Sequence, residues 1–278
     1  MTQMAPAASD AKGANRFIAP FDAVAATYDK RFSFSEVGRA QRASVWIEMD
    51  RAFSRSQRIL EINCGTGVDA MRLANRGIEV LACDASPAMI QAAQRRLASN
   101  RTPAAVEFKC LPTEELSQLE ADKPFDGALS NFAGLNCVHD LTGVAVNLAR
   151  LLRPGANAVL CLFGRFCLWE IASYAFRLDF AKAFRRVSPV VEAAIAPGAT
   201  VKVHYWTVRS VRDAFAPHFR LRRCKGVGVI VPPTHLEALA VAFRRTFRMA
   251  AAMDPWLGRC PVVRTFADHV VLTFERMP

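Results

Sequence analysis

The stretch RILEINCGTGVDAMRLANRGIEVLACDAS, residues 58–86, decides the fold. An apolar run enters a turn carrying Gly65 and Gly67, a helix-like segment follows, and a second apolar run ends on Asp84. Glycines in such a turn let a ligand approach the backbone closely, and a carboxylate closing the next strand can accept from ribose hydroxyls. That is the plan of an adenine-nucleoside site. Gly65-Thr66-Gly67-Val68-Asp69-Ala70 satisfies GxGxxA, and Asp84 follows Gly65 by 19 residues. The spacing suits NAD as well as S-adenosylmethionine, so the motif alone leaves both open.

Working outward, Ile59–Ile62 reads as a strand, Val68–Asn75 as a helix and Glu79–Cys83 as a strand. Ser86 as N-cap and Pro87 in the first turn open a helix running through about Leu97. Val106–Cys110 and Gly127–Ser130 are strand-like. Leu141–Leu152 reads as a helix stopped by Arg153-Pro154-Gly155, and Ala158–Phe163 as another strand. A helical pattern over Glu36–Phe53 precedes them all. Strands alternating with helices predict a parallel sheet covered on both faces, with ligand outside the carboxyl ends of the strands. After Phe163 the alternation breaks. Phe166–Arg186 is apolar and helical, and its polar positions change face near Arg177, which suits a kink or two short helices. Val201–Trp206 reads as a strand, Thr207–Phe215 as a short helix, Phe219–Val231 as strand-rich, Leu236–Met253 as a long helix and His269–Glu275 as a closing strand.

Composition bounds the class. With 278 residues, 52% of them hydrophobic, the chain can bury a full core. The opening MTQMAPAASDAKGANR has neither a basic start nor an apolar segment, so no secretory leader is expected, and no apolar run has the length of a membrane span. Eight scattered cysteines without a CxxC pair suit free thiols in a reducing cytoplasm. Residues 1–149 hold 16 Lys+Arg against 17 Asp+Glu, and residues 150–278 hold 20 against 8. The whole positive surplus therefore lies in the C-terminal half. It suits an anionic acceptor, a membrane surface or nucleic acid, or else a solvated arginine-rich face.

Glu61 separates the two nucleosides. It lies inside the first strand, four residues before Gly65, where a pyrophosphate has no use for a carboxylate but a ligand bearing a sulfonium and an ammonium does. Asn63 and Cys64 also interrupt the direct strand-to-GxG entry of the dinucleotide pattern. Downstream, FDGALSNFAGLNCV and LARLLRPGANAVLCLFG follow in order. On these motifs the chain resembles class I S-adenosylmethionine-dependent methyltransferases, in the methyltransferase-domain group of the ubiquinone and menaquinone methyltransferases. The resemblance covers roughly residues 21–163. It implies a Rossmann-like parallel sheet with helices on both faces, an antiparallel C-terminal strand and a helical cover over the acceptor side. FDAVAATYDKRF resembles the family's N-terminal segment, with Tyr28 near the cofactor. LEINCGTG resembles the first motif, with Asn63 where glycine is usual, and implies Glu61, Asn63, Gly65 and Gly67 at the methionine part. VLACDASPAMI resembles the second, implying Asp84 on the ribose and Ala85 and Met89 near the adenine. In CLPTEEL, Pro112 stands where an acidic residue is usual, which leaves Thr113 and Glu114 as candidates. Asn131 and Phe132 match the segment facing the transfer centre.

The expected organisation is a flexible tail over residues 1–18 and a single domain over 19–278, its cofactor half at 19–163 and its acceptor-cover, sheet-completing half at 164–278. The expected activity is methyl transfer from S-adenosylmethionine to O, N or C of a small, largely apolar metabolite, aromatic, quinone-like or lipid. A nicotinamide-dependent oxidoreductase and a noncatalytic S-adenosylmethionine-binding protein are the alternatives. His139, after the fourth strand, and Tyr28 are the candidate catalytic residues; a surface helix-start position is the plainer reading of His139. His204 is a candidate for the acceptor pocket. No His/Asp/Glu cluster has metal-ligand spacing. Ser130-Asn131-Phe132-Ala133-Gly134 lacks the polar-Pro-Pro-aromatic segment of base-amine methylation, and no Pro-Cys nucleophile is present, so nucleic acid is not an expected partner. Leu236, Leu239, Phe243, Phe247 and Ala250 share a helix face, and Trp169, Tyr174, Phe176, Phe180 and Phe184 enrich the earlier helical region. Such residues at helical spacing are expected in the core, with peripheral contact at the inner membrane face as the alternative to a purely cytoplasmic location.

Overall fold

The computed structural model describes residues 19–100 and 105–278, so the expected tail at 1–18 lies outside the described residues. Nine strands form among the described residues: β1 (Arg58–Ile62), β2 (Glu79–Asp84), β3 (Val106–Cys110), β4 (Phe125–Ser130), β5 (Leu152–Phe163), β6 (Val190–Ala196), β7 (Ala199–His204), β8 (Phe219–Val227) and β9 (His269–Arg276). Seven of them make one sheet in the order β3-β2-β1-β4-β5-β9-β8. Strands β1 to β5 run parallel, while β9 is antiparallel to both β5 and β8. The order reverses between β1 and β4, and such a switch point opens a crevice at the carboxyl ends of the strands.

The central strands are apolar on both faces because both are covered. On one face Leu60, Leu81, Phe125 and Phe274 pack against Leu148 of the helix Leu141–Leu151 and Phe215 of the helix Val208–Phe215. On the other, Ile59, Val80, Leu129, Val159 and Val271 meet Val45 and Met49 of the helix Glu36–Ala52 and Leu73 of the helix Val68–Asn75. Sequence signals set the helix starts: Ser35, Ser86 and Asp140 each cap one by accepting a backbone N–H three residues on.

The C-terminal half departs from the sequence reading in three places. Residues 190–196, unassigned from sequence, form β6, which pairs with β7 as a separate antiparallel hairpin turning at Gly198 (φ +75°). The helix expected over Leu236–Met253 breaks at Phe243 into Glu237–Ala242 and Arg244–Leu257. Its two parts are anchored separately. Glu237 accepts from the Glu36 and Val37 N–H groups, and Asp254 accepts from four successive N–H groups, Gly228 to Val231. Region 166–186 does form two short helices, Leu168–Phe176 and Phe180–Ala183, but its aromatics are not core. Phe176 is 91% exposed, and Phe180, Phe184 and Phe243 also face solvent. The inward positions are taken by Glu170, Ala183 and Arg186. No described helix is long and apolar enough to cross a membrane.

Candidate cofactor and acceptor site

The two glycines after β1 have different tasks. Gly67, at φ +73°, starts the next helix, and a Cβ there would stand 2.8 Å from the Phe108 ring and 2.9 Å from Ala93. At Gly65, with φ +55°, a Cβ would meet nothing within 4 Å, so this glycine borders open space. Asn63, where the resemblance leads one to expect glycine, also holds a positive φ of 58°, which asparagine tolerates. Its side chain donates to Thr113 Oγ1 (2.8 Å) and accepts from Ser130 Oγ (3.0 Å), tying β1 to β4 and to the turn after β3. Gly134 yields the space: a Cβ there would fall 2.2 Å from the Asn63 Cβ.

A cavity of about 330 Å³ opens at these strand ends. Ten of the residues singled out from sequence line it: Tyr28, Asn63, Gly65, Asp84, Ala85, Met89, Thr113, Glu114, Asn131 and Phe132. Gly67 and Glu61 sit behind the lining. At one end Asp84 accepts from the Gly65 N–H (2.8 Å) and the Ser86 N–H (2.9 Å), so the carboxylate that closes β2 also shapes the glycine turn. Burial raises its carboxyl above the ordinary range, and those two N–H groups oppose the shift. Pro112 lines the cavity beside Thr113 and Glu114.

Within β1, Glu61 is 1% exposed, and its Oε2 has no hydrogen-bond partner among the described residues. The nearby cation is already engaged: Arg42 pairs with Asp69, which also accepts from Trp46 Nε1 (2.7 Å) and Asn131 Nδ2 (2.8 Å). Burial, followed by the Asp69 charge, pushes the Glu61 carboxyl well above its usual range, and Arg42 offsets this only in part. A buried carboxyl with an unpaired oxygen fits a ligand that brings its own positive charge. It does not fit a pyrophosphate.

The N-terminal segment covers the cavity. Asp22 accepts from Ser86 Oγ and the Ala88 N–H, while Asp29 accepts from Thr66 Oγ1 (2.6 Å) and pairs with Arg96. These two clasps, missed from sequence, hold Tyr28 at the cavity. Their trace in FDAVAATYD is two acids spaced seven residues apart, on one side of a helical segment. Burial pushes the Tyr28 phenol up to about 12, so it keeps its proton at neutral pH. Val201, from the unexpected hairpin, closes another side.

Catalytic candidates sort by position. His139 is exposed and outside the lining, its ring 5.4 Å from that of His204, which in turn stacks on Trp206. Cys137 lines the cavity, but burial pushes its thiol up to about 11. His269, not singled out from sequence, meets the cavity residue Phe132 edge-on at 5.4 Å and stacks on Phe163. It neighbours Asp268, whose carboxylate is held by Arg186 and Gln41. No group of three or more metal-ligating side chains occurs among the described residues.

Residues 59–155 match the family model described as a methyltransferase domain. The chain is 33% identical over 145 residues to a demethylmenaquinone methyltransferase of Clavibacter sepedonicus, covering 52% of this chain and 57% of that one. It is 27% identical over 168 residues to a tRNA 5-carboxymethoxyuridine methyltransferase of Escherichia coli K12, covering 59% and 63%. The chain thus spans roughly three-fifths of the length of these relatives. Over 94% of its length it superposes on the CcbJ methyltransferase of Streptomyces caelestis, covering 99% of that chain with a TM-score of 0.62 at 12% identity. The fold is therefore that of the class I S-adenosylmethionine-dependent methyltransferases, and residues 59–155 carry the matching domain.

Proposed function

We propose that this chain, with its class I methyltransferase fold and domain, transfers a methyl group from S-adenosylmethionine to O, N or C of a small, largely apolar acceptor in the cytoplasm. The observation that carries the reading is Glu61: a buried carboxyl with a free oxygen on β1, the strand that leads into the glycine turn at the cavity lined by Gly65 and Asp84. In this reading Glu61 and Asn63 meet the methionine part, Gly65 lets it approach the backbone, and Asp84 accepts from the ribose hydroxyls. Ala85, Met89, Thr113 and Glu114 surround the adenine, and Asn131 and Phe132 border the transfer centre. The antiparallel β9 and the Glu61 carboxyl both weigh against a nicotinamide cofactor, since dinucleotide sheets of this kind are mostly parallel and bind a pyrophosphate at the turn.

S-adenosylmethionine, when bound, would supply an electrophilic methyl on a sulfonium, whose sulfur would keep the bonding electron pair as leaving group. The chain's part is to align that methyl with the acceptor and keep water out. Phe21, Met89, Phe132 and Val138 give the cavity apolar walls, and Tyr28, protonated at neutral pH, can donate but not accept the acceptor's proton. A neutral amine needs no base. For a hydroxyl or carbon acid, His139, which follows the lining residues Cys137 and Val138 but is not itself in the lining, would take the proton through water, or a group on the acceptor side would take it. Nucleic acid remains the less favoured acceptor because the segment after β4 lacks the base-amine pattern, although one relative acts on tRNA.

Labelled S-adenosylmethionine incubated with the protein and a cell extract, then split into organic, aqueous, protein and nucleic-acid fractions, tests the reading. Label in the organic fraction, absent with Gly65→Arg protein, is the expected result. Label confined to nucleic acid or protein would overturn the acceptor class, and protein that binds the cofactor but transfers nothing would leave a binding role.

A further inference from the structure

The outer surface of the C-terminal half exposes apolar side chains that the core does not use. In the turn between the helices Leu168–Phe176 and Phe180–Ala183, Phe176 is 91% exposed, Leu178 78% and Phe180 57%. Leu178 holds φ +58°, a conformation that bulky residues seldom adopt, and in holding it stays in solvent. The segment from His235 to Phe243 adjoins this turn. Ser173 Oγ lies 3.3 Å from His235 Nε2, and Tyr174 stacks on the His235 ring. That segment adds exposed Leu239, Val241 and Phe243. Single exposed apolar residues are ordinary, but six on two adjoining segments are not.

Cations edge the same surface. Arg177, Arg244, Arg245 and Arg248 are exposed and form no ion pair with any described residue. Lys182 stands over the Tyr174 ring. Of the acids nearby, Asp179 is paired with Lys182 and Glu170 with Arg185 and Arg186, and Glu237 is turned onto the Glu36 and Val37 N–H groups. A second copy of the chain would bring like charge against like charge, because residues 150–278 carry 20 basic against 8 acidic side chains.

We propose that this surface docks the protein on an anionic phospholipid bilayer, with Phe176, Leu178 and Phe243 entering the interface and Arg177, Arg244 and Arg245 meeting the headgroups. The first segment leads through Arg185–Val187 into the β6–β7 hairpin, which borders the cavity through Val201, so the docking surface and the cavity share one stretch of chain. The docking itself does not depend on methyl transfer.

The test is co-sedimentation of the full chain with phosphatidylcholine vesicles, with and without about one-third phosphatidylglycerol. Binding to the anionic vesicles alone is expected, weakened about tenfold or more by Phe176→Ser with Leu178→Ser, and independently by Arg244→Glu with Arg245→Glu. Both pairs change exposed side chains, so the thermal midpoint should stay in place, and each checks the other. No sedimentation, equal sedimentation with neutral vesicles, or full binding by both variants would overturn the proposal. So would a dimer in vesicle-free solution that Phe176→Ser with Leu178→Ser abolishes. Calorimetric binding of S-adenosylmethionine by the same preparations keeps the readings apart, because a chain that sediments yet binds no cofactor would sink only the methyl-transfer reading.

Discussion

Replacing Glu61 by glutamine tests the cofactor assignment at its most specific point. The substitution keeps shape and polarity but removes the ability to become an anion. In the free protein that anion is disfavoured: burial and the Asp69 charge hold the proton on Glu61 well above the usual carboxyl range. A ligand ammonium or sulfonium reverses the preference, so binding should expel the proton. A charge-assisted hydrogen bond to a buried group contributes about 1.5–3 kcal/mol, which predicts a Kd for S-adenosylmethionine raised about 10- to 150-fold in Glu61→Gln. Calorimetry in buffers of different ionisation enthalpy across a pH series gives a second readout, in which the wild type releases a proton on binding at pH below its raised Glu61 value and the variant does not. The sign for stability follows from the raised value. Glu61 favours folding below the unfolded carboxyl value of about 4.5, and that contribution is lost as pH rises through the folded value. The variant should therefore melt no lower than wild type at neutral pH. Unchanged affinity together with unchanged proton release would refute the reasoning.

The two turn glycines should separate stability from binding. Gly67→Ala drives a Cβ into Phe108 and Ala93 at a positive φ and should cost about 2 kcal/mol or more by denaturant titration, whereas Gly65→Ala should cost about 1 kcal/mol and chiefly lose cofactor affinity. Asp84→Ala should abolish measurable cofactor binding and also lower stability by about 1–3 kcal/mol, because the Gly65 and Ser86 N–H groups lose their acceptor; Asp84→Asn, which keeps an acceptor oxygen, should recover most of the stability in thermal melts. Arg186→Leu takes the shared guanidinium from two buried carboxylates, leaving Arg185 on Glu170 and Gln41 on Asp268, and should destabilise by about 3 kcal/mol. Burial opposes their ionisation, yet Arg186 with Arg185 beside Glu170, and His269 with Arg186 beside Asp268, hold both carboxyls below the usual range. The stability they contribute is therefore present above the unfolded values and lost as pH falls through the folded ones. Wild-type Tm should drop on acidification below about pH 5, and the drop should be shallower in Arg186→Leu.

The sequence by itself determined the cofactor half. Strand, glycine turn, helix and closing Asp84 lie within one short βαβ unit, where local propensity and the handedness of the crossover leave few alternatives. Spacing placed Gly65 and Asp84, and the family resemblance supplied the other eight of the ten residues that line one cavity. The cover over that cavity was decided elsewhere. Asp22 reaches Ser86 across 64 positions, Asp29 reaches Arg96 across 67, and Gln41 reaches Asp268 across 227, and no local pattern encodes such pairings. His269 carried no sequence signal because its place beside Phe132 comes from β9 inserting antiparallel between β5 and β8. Periodicity found helical segments in Phe166–Arg186 and Leu236–Met253 but not the break at Phe243, and it could not say what would cover the aromatics. A helix face is buried only if another element arrives to pack on it, and here buried Glu170, Ala183, Arg186 and Phe247 took the inward positions while Phe176 and Phe243 were left to solvent.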